Sequence, residues 1–267
     1  MNVDEASKEE FALWREHVRS HSSAEIERVL RGAGSADGLV QYALGREGTF
    51  AWSAFASWFV RGHPAADMIA CCVALHMVGI KLLDDLADED SPFPPQDLLC
   101  GARLGEWAAI CAASLAGGQA AAVAMFADMA PVWCAFSGEP LGEKPDTLGS
   151  WLALASAKAA DLLQAYVSFA VRLAGERSPS EAVTTLARNL GLMLMVRDDL
   201  RDFHEKAERS GNLWHILQQD CRCLAAALGP VHQMALQANA AAGVELEWLV
   251  NEIAADIELR AALSTST

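Results

Sequence analysis

The sequence KLLDDLADED, residues 81–90, ends a stretch of apolar text that begins at Pro64. Proline suits the first turn of a helix, and the apolar residues that follow would lie nearly all round it, as in a buried helix. Asp84, Asp85 and Asp88 crowd its last turns. Carboxylates at a helix C-terminus oppose the helix dipole by about 0.3–1 kcal/mol each, and like charges one turn apart repel. We therefore expect cationic groups nearby to offset these charges.

A second acidic cluster has the same form. Asp198, Asp199 and Asp202 follow the apolar run Leu190–Val196, so a DDxxD motif again comes directly after a buried turn. The segment Ser178–Glu181, with proline at its second position, predicts a capping box at the start of this helix.

Two acidic motifs of this kind predict a metal site. Aspartates at i and i+4 project from one face of a helix, and their oxygens suit a hard divalent cation such as Mg²⁺. One such motif in an acidic protein is typical of a solvated helix end. Two motifs, each after a buried turn, favour two faces opposed across a helical bundle. Mg²⁺ held there would keep several waters and share its remaining positions with phosphate.

The composition indicates an all-α fold in a single domain, residues 1–267. Apolar residues make up 52% of the chain, alanine is abundant, and no β-branched alternating stretch stands out. The formal charge of −15 argues against nucleic acid or an anionic membrane surface as a partner, because both attract basic patches. Gly229 and Pro230 predict a break between two C-terminal helices.

Several features predict a cytoplasmic protein. The N-terminus is polar and mixed in charge, unlike a secretory signal. No apolar run reaches the roughly eighteen residues that span a bilayer, so we expect no membrane span. The seven cysteines are an odd number without CxxC spacing, which is typical of reduced, buried thiols.

Two polar residues stand in apolar helical text. Gln119, within Gly117–Gln119, is either a satisfied core amide or a contact to a substrate or a metal-bound water. Lys158 lies among Ala, Ser and Leu, and either reaches solvent or meets an anion. The residues alone leave both alternatives open.

Together these features resemble a known family. The two motifs at 84–88 and 198–202, with Gly117–Gln119 between them and Lys158 before the second, are similar to the trans-isoprenyl diphosphate synthases of the class I isoprenoid synthase fold. The order and spacing extend over residues 50–225.

Within that family, two longer patterns resemble the moenomycin-pathway prenyltransferases. They are KLLDDLxDxD at residues 81–90 and DDLxD…ERxGNLxH at residues 198–215. The second pattern places Asn212 among the expected substrate contacts.

The resemblance implies a helical bundle with a central apolar cavity, a homodimer, Mg²⁺ as cofactor and an allylic prenyl diphosphate as substrate. It assigns metal binding and catalysis to the six aspartates of the two motifs. It also implies that Lys158 contacts the diphosphate, although the threonine that usually follows is Ala159 here.

The helix faces beneath the acidic turns would line the cavity. Helical steps of three or four residues place apolar positions there, namely Val73, Met77 and Ile80 under Asp84, and Gly191, Leu194 and Met195 under Asp198. Gly79, five residues before the first motif, stands where side-chain size limits product length in the family, so a glycine there would leave depth.

Departures from the family pattern concern the second substrate. The basic cluster before the first motif reads Arg61–Pro64, the arginine pair after it reads Ser91–Pro94, and the glutamine before the second motif is Met195. A second diphosphate then has few basic residues to hold it. We expect an acceptor other than isopentenyl diphosphate, prenylated or phosphorylated, or else cyclisation of one substrate by a terpene synthase. An inactive regulatory subunit or scaffold is the non-enzymatic alternative.

Overall fold

A computed structural model describes residues 3–87, 91–115, 122–123, 126–127, 145–202, 213, 216 and 221–264. The chain divides into two compact units. We call Glu9–Pro131 with Ala165–Pro179 the α4 unit, after its helix α4 at Ala66–Ala87. We call Met1–Lys8, Val132–Gln164 and Ser180–Thr267 the α9 unit, after its helix α9 at Glu181–Asp202. The single domain expected from the sequence stays a prediction.

The described residues are mainly helical, with no strand among them, which confirms the all-α prediction. The helices of the first half are α1 Val3–Gly32, α2 Asp37–Leu44, α3 Glu47–Trp58, α4 Ala66–Ala87, α5 Pro95–Leu98 and α6 Gly101–Leu115. Those of the second half are α7 Leu148–Ala155, a π-helix Ser156–Ala160, α8 Asp161–Leu173, α9 Glu181–Asp202, α10 Cys221–Ala242 and α11 Glu247–Ser264.

Helix α4 forms the core of its unit, packing against α3 and α6. Val73, Leu75, Val78 and Leu82 are fully buried along it, as the apolar text around the helix predicts. Large aromatic side chains from α3, among them Trp58, are buried in the same unit. The first acidic motif therefore stands at the end of a helix that packing holds firmly in place.

Among the residues that the structure describes, two segments are long and apolar enough to cross a membrane by length and composition, Ala66–Leu86 and Pro95–Leu115, so the prediction of no such run is wrong by that measure. The apolar window of the first is 78% buried inside the protein, which is the pattern of a core helix. The window of the second is 28% buried. Length and composition of one or two helices are weak evidence for a membrane span, because core helices meet the same criteria.

Helices α4 and α6 approach each other through two glycines. A Cβ at Gly79 would lie 2.6 Å from the carbonyl oxygen of Gly101, and one at Gly101 would lie 2.5 Å from that of Gly79. The space beside Gly79 is therefore filled by α6 backbone. The interpretation of Gly79 as open depth for a substrate is wrong, because the missing side chain permits close helix packing instead.

The boundaries of α9 and α10 differ from the predicted ones. Helix α9 begins at Glu181, and its cap is Ser180, whose Oγ accepts a hydrogen bond from the Val183 N–H at 3.3 Å. Helix α10 continues through Pro230. An internal proline costs about 3 kcal/mol of helix stability, and the buried side chains Leu228 and Ala235 on either side keep the helix packed.

The two ends of the described chain meet in the α9 unit. The indole N–H of Trp248, on α11, donates to Ser7 Oγ at 3.3 Å. Lys8 lies 5.4 Å from the centre of the same indole ring and pairs with Glu252 at 2.6 Å. The first turns of α1 thus pack on the last helix.

Replacement of Gly79 by alanine tests the packing of α4 on α6. Because the new Cβ would overlap backbone atoms, we expect Gly79→Ala to lower the free energy of unfolding by about 1–3 kcal/mol. Gly105→Ala is the matched control, since no atom lies within 4 Å of a Cβ at that helical position, and it should stabilise by about 0.5–1 kcal/mol. Urea denaturation measures both, and equal effects would contradict the packing argument.

Candidate functional site

The first acidic motif is neutralised by cations of its own unit, as its position at a helix C-terminus predicts. The Lys81 ammonium pairs with Asp84 and also contacts Asp85 Oδ1 at 3.0 Å. The Arg46 guanidinium pairs with Asp85 Oδ2. The Tyr42 hydroxyl donates to the same oxygen at 2.9 Å. The predicted cationic partners are therefore present.

Arg46 and Tyr42 are site residues that the sequence interpretation missed. Arg46 is the residue before the first turn of α3, and its guanidinium lies 4.1 Å from the centre of the Tyr42 ring. The ring of Phe93 meets Tyr42 edge-on at 5.3 Å. The sequence feature that could have revealed Arg46 is its position between two glycines, Gly45 and Gly48. Glycines in this stretch otherwise indicate only a connection between helices.

Electrostatics link these groups tightly. Burial alone would lower the pKa of Lys81, but the Asp84 and Asp85 carboxylates raise it above its usual value. Burial raises the pKa of Tyr42, and its hydrogen bond to Asp85 adds to the effect. Lys81 and Tyr42 thus keep their protons, so both remain hydrogen-bond donors to the motif at neutral pH.

The two described aspartates of the first motif differ in their surroundings. The Asp85 side chain is 2% exposed and is held by Arg46, Tyr42 and Lys81. Asp84 is more accessible and pairs with Lys81. Asp88 lies outside the described residues. Asp84 is therefore better placed than Asp85 to bind a ligand from solvent.

The two described aspartates of the second motif, within the α9 unit, differ in their partners. Asp199 Oδ2 accepts the Trp151 indole N–H at 3.0 Å and the backbone N–H of Leu213 at 2.8 Å. Asp198 is half-buried, accepts from Arg197 at 3.2 Å and lies 3.8 Å from Arg201. The side chain of Asp202 lies outside the described residues. Trp151 is a further contact that the sequence interpretation missed.

The donor chemistry of both motifs fits a hard cation. Carboxylate oxygens are the ligands that Mg²⁺ prefers, and the Lys81 ammonium, in contact with two carboxylates, shows that positive charge is accepted there. Among the side chains that the structure describes, no three Asp, Glu, His or Cys groups are close enough to hold one metal ion.

Lys158 lies in the π-helix and is 9% exposed. The N–H of Asp161 donates to the carbonyl of Ser156, five residues earlier, which is the hydrogen bond of a π-helix. Such bulges inside α-helices occur frequently at functional sites. The structure therefore gives Lys158 an unusual backbone setting that helical periodicity could not reveal.

Gly191 does not line a pocket, contrary to the prediction. A Cβ there would lie 2.4 Å from the carbonyl oxygen of Ala159 and 2.9 Å from the Cα of Ala160, so the π-helix fills that space. The other positions expected to line a cavity are Val73, Met77 and Ile80, which are buried on α4, and Leu194 and Met195, which are half-buried on α9. Met77 Sδ accepts a hydrogen bond from Ser53 at 3.2 Å. Gln119 and Asn212 lie outside the described residues.

A buried polar pair lies in the core of the α4 unit. His76 Nδ1 and the Tyr166 hydroxyl are 2.7 Å apart. The His76 ring also meets Phe126, which packs edge-on against Phe169 at 5.3 Å. Burial lowers the pKa of His76 to about 4, so the imidazole is neutral at pH 7. His76 lies two helical turns before Asp84 on α4.

Comparison with known proteins adds to this geometry. No family model and no curated protein matches the chain, but solved structures do. A geranyltranstransferase from Thermotoga maritima aligns with 91% of this chain and 98% of its own, at 14% identity and a TM-score of 0.62. A geranylgeranyl pyrophosphate synthetase from the archaeon Geoglobus acetivorans aligns over 91% and 98%, at 16% identity and a TM-score of 0.62. A protein from Marinomonas sp. MED121, provisionally assigned as a farnesyl-diphosphate synthase, aligns over 92% and 98%, at 16% identity and a TM-score of 0.62.

The chain has the isoprenoid synthase fold. The aligned structures are trans-prenyl diphosphate synthases, and the likeness extends over nearly the whole of each chain. At 14–16% identity it establishes the fold alone. Within the isoprenoid synthase fold, the described geometry adds Arg46, Tyr42 and Trp151 to the surroundings of the two acidic motifs.

The unequal settings of Asp84 and Asp85 predict unequal effects on stability. Asp85→Asn removes charge-assisted bonds from a buried carboxylate, so we expect a loss of about 1.5–3 kcal/mol. Asp84→Asn loses its pair with Lys81 but also relieves the unfavourable helix-dipole interaction, so its effect should be close to zero. Urea denaturation of both variants at pH 7 checks this. Losses of the same size would show that the Arg46 and Tyr42 contacts do not contribute to the free energy of unfolding.

The burial of His76 predicts a loss of stability in acid. The pKa of His76 is about 4 when folded, against 6.5 for an ordinary histidine side chain, so the unfolded chain binds the extra proton as pH falls below 6.5. Folding should lose about 2 kcal/mol between pH 7 and pH 5 through this group. Urea denaturation at both pH values, compared with His76→Gln, measures the difference. A pH dependence that is the same in both proteins would rule out His76 as its source.

Proposed function

We propose that the chain is a Mg²⁺-dependent prenyltransferase that ionises an allylic prenyl diphosphate and transfers the prenyl group to an alkene-bearing acceptor other than isopentenyl diphosphate. The observation that carries this proposal is the pair of acidic motifs, each at the end of a packed helix and each with one aspartate fixed by protein donors. The likeness of the fold to prenyl diphosphate synthases supports it.

The motif aspartates would have two roles, binding metal and holding the helix ends in place. Asp84, which is more accessible than Asp85, and Asp198 would bind Mg²⁺ together with Asp88 and Asp202. When bound, Mg²⁺ supplies Lewis-acid stabilisation to the departing diphosphate. Asp85 and Asp199 would hold the ends of their helices in place, because their oxygens accept donors from other segments of the chain.

Lys158 would contact the diphosphate of the substrate, and apolar side chains would surround its prenyl chain. The Lys158 ammonium would contact the diphosphate, as the resemblance to the family implies. Val73, Met77 and Ile80 on α4, with Leu194 and Met195 on α9, would exclude water from the allylic cation. Gln119 and Asn212 remain predicted substrate contacts.

The proposed acceptor follows from the scarcity of basic residues for a second diphosphate. The positions that carry basic clusters in chain-elongating relatives read Arg61–Pro64 and Ser91–Pro94. Arg61 pairs with Glu10 at 3.0 Å, and Arg46 is engaged with Asp85. The moenomycin-type pattern of the motifs supports a prenylated or phosphorylated acceptor. We further expect a cytoplasmic homodimer.

A terpene synthase is the second candidate. The same scarcity of basic residues favours it, because cyclisation needs one diphosphate site and no acceptor. An inactive subunit or scaffold is disfavoured, since all six motif aspartates are present in the sequence.

Incubation with single substrates tests the proposed transfer. Geranyl, farnesyl and geranylgeranyl diphosphate are each supplied alone with Mg²⁺, and then with prenylated monophosphate acceptors. We expect diphosphate to be released only when an acceptor is present. The extract should then contain the acceptor coupled to the prenyl group. A cyclic hydrocarbon from a lone substrate would instead establish a terpene synthase, and no release under any condition would favour the scaffold.

Binding of a non-hydrolysable allylic diphosphate analogue tests the metal site separately. We expect Mg²⁺-dependent binding that Asp84→Ala or Asp198→Ala weakens at least about tenfold, since each removes a charged ligand. Asp67→Ala is the control, because Asp67 lies at the start of α4 and pairs with His17 at 2.8 Å. Calorimetric titration measures all four proteins. Equal affinities would exclude the motifs as the metal site.

A further inference from the structure

The π-helix places one extra residue within a longer helical segment. It lies between α7 and α8, and the bond from Asp161 N–H to Ser156 C=O spans five residues instead of four. A π-helix is rare and short, so its surroundings must hold it. The residue at its centre is Lys158. Whatever holds the π-helix therefore sets the direction of that side chain.

Gly191 on α9 makes the contact that holds it. The three atoms nearest to a Cβ at Gly191 are Ala159 O, Ala159 C and Ala160 Cα, at 2.4, 2.9 and 2.9 Å. All three belong to the backbone of the π-helix, so no flexible side chain could move aside for a larger residue. Ala159 and Ala160 are themselves small and buried, which permits the approach.

A second contact joins α9 to α7, the helix that precedes the π-helix, about two helical turns away from the Gly191 contact. Trp151, seven residues before Lys158, donates to Asp199 at 3.0 Å. Asp198, seven residues after Gly191, lies on the same face of α9, because seven residues are close to two turns. The Gly191 and Trp151 contacts together fix the register of the π-helix against the helix that carries the second acidic motif.

We propose that Gly191 is a positioning residue for the diphosphate site, holding the π-helix in the register that fixes Lys158 relative to Asp198 and Asp199. This rests on the proposed function of Lys158 as a diphosphate contact. Any side chain at position 191 displaces the π-helix backbone and turns Lys158 away, even though the lysine itself is unchanged.

The test uses the full chain with inorganic pyrophosphate and Mg²⁺ as the probe. Calorimetry measures its affinity for the wild type, Lys158→Gln, Gly191→Ala and the double variant. We expect each single variant to bind about tenfold more weakly, as for loss of a charge-assisted bond. The double variant should bind no more weakly than Lys158→Gln, because both changes remove the same contact. Additive losses would overturn the proposal.

Gly149→Ala is the matched control, because Gly149 lies on α7 with no atom within 4 Å of an added Cβ. It should bind pyrophosphate as the wild type does. A loss of affinity equal to that of Gly191→Ala would show that any glycine replacement in this unit has the effect, and would overturn the assignment.

Acetylation of Lys158 by acetic anhydride, followed by mass spectrometry, separates this proposal from the proposed function. Lys158 is nearly buried and should react slowly in the wild type, whereas the exposed Lys8 serves as the internal standard. Gly191→Ala should react faster at Lys158, without metal or pyrophosphate. Unchanged labelling overturns the positioning role. Absence of pyrophosphate binding by the wild type overturns the proposed function instead.

Trp151→Phe provides the test if Gly191→Ala does not fold. It weakens the second contact by removing the indole N–H from Asp199 while keeping an aromatic ring. We expect faster labelling of Lys158 in this variant as well. Labelling at the wild-type rate would overturn the proposal that contacts from α9 hold the π-helix.

Discussion

A carboxylate buried at the end of a core helix is the constraint on which the α4 unit depends. Asp85 is almost completely removed from water, and an unpaired charge there would be unstable. Arg46 and Tyr42 satisfy it at Oδ2, and Lys81 at Oδ1. To do so, α2 and the start of α3 must lie beside the last turns of α4. The Asp85 carboxylate, which opposes the dipole of α4, thus holds α2 and the start of α3 in place.

In the α9 unit, Asp199 likewise accepts donors from other segments of the chain. They include the indole N–H of Trp151 and the backbone N–H of Leu213. In both motifs the preceding aspartate, Asp84 or Asp198, pairs with cations of its own helix, Lys81 for Asp84, and Arg197 and Arg201 for Asp198. A fixed residue next to an available one is a physical basis for holding a ligand at a defined place, because the fixed residue limits how far the helix end can move.

Much of this could be predicted from the sequence, and the remainder shows where pattern alone fails. Apolar text around α4 and the position of the acidic motifs predicted buried helices and cationic partners, and the structure has both. Arg46 was missed because it lies far from Asp85 in sequence, and no periodicity links a residue before α3 to the end of α4. Gly79 and Gly191 were misinterpreted, since a helical wheel shows which way a position points but not what occupies the space there.

The packing of Ser7 and Lys8 against Trp248 has a consequence for the order of folding. These partners are 241 residues apart in the chain for the Ser7 contact, so on a ribosome the first turns of α1 emerge long before the helix that receives them. Their final arrangement must wait until synthesis reaches α11, whereas α4 and α6 can pair earlier, since neighbouring segments close at a smaller entropic cost. Helix α11, made long after α1, is thus the one that fixes the first turns of α1.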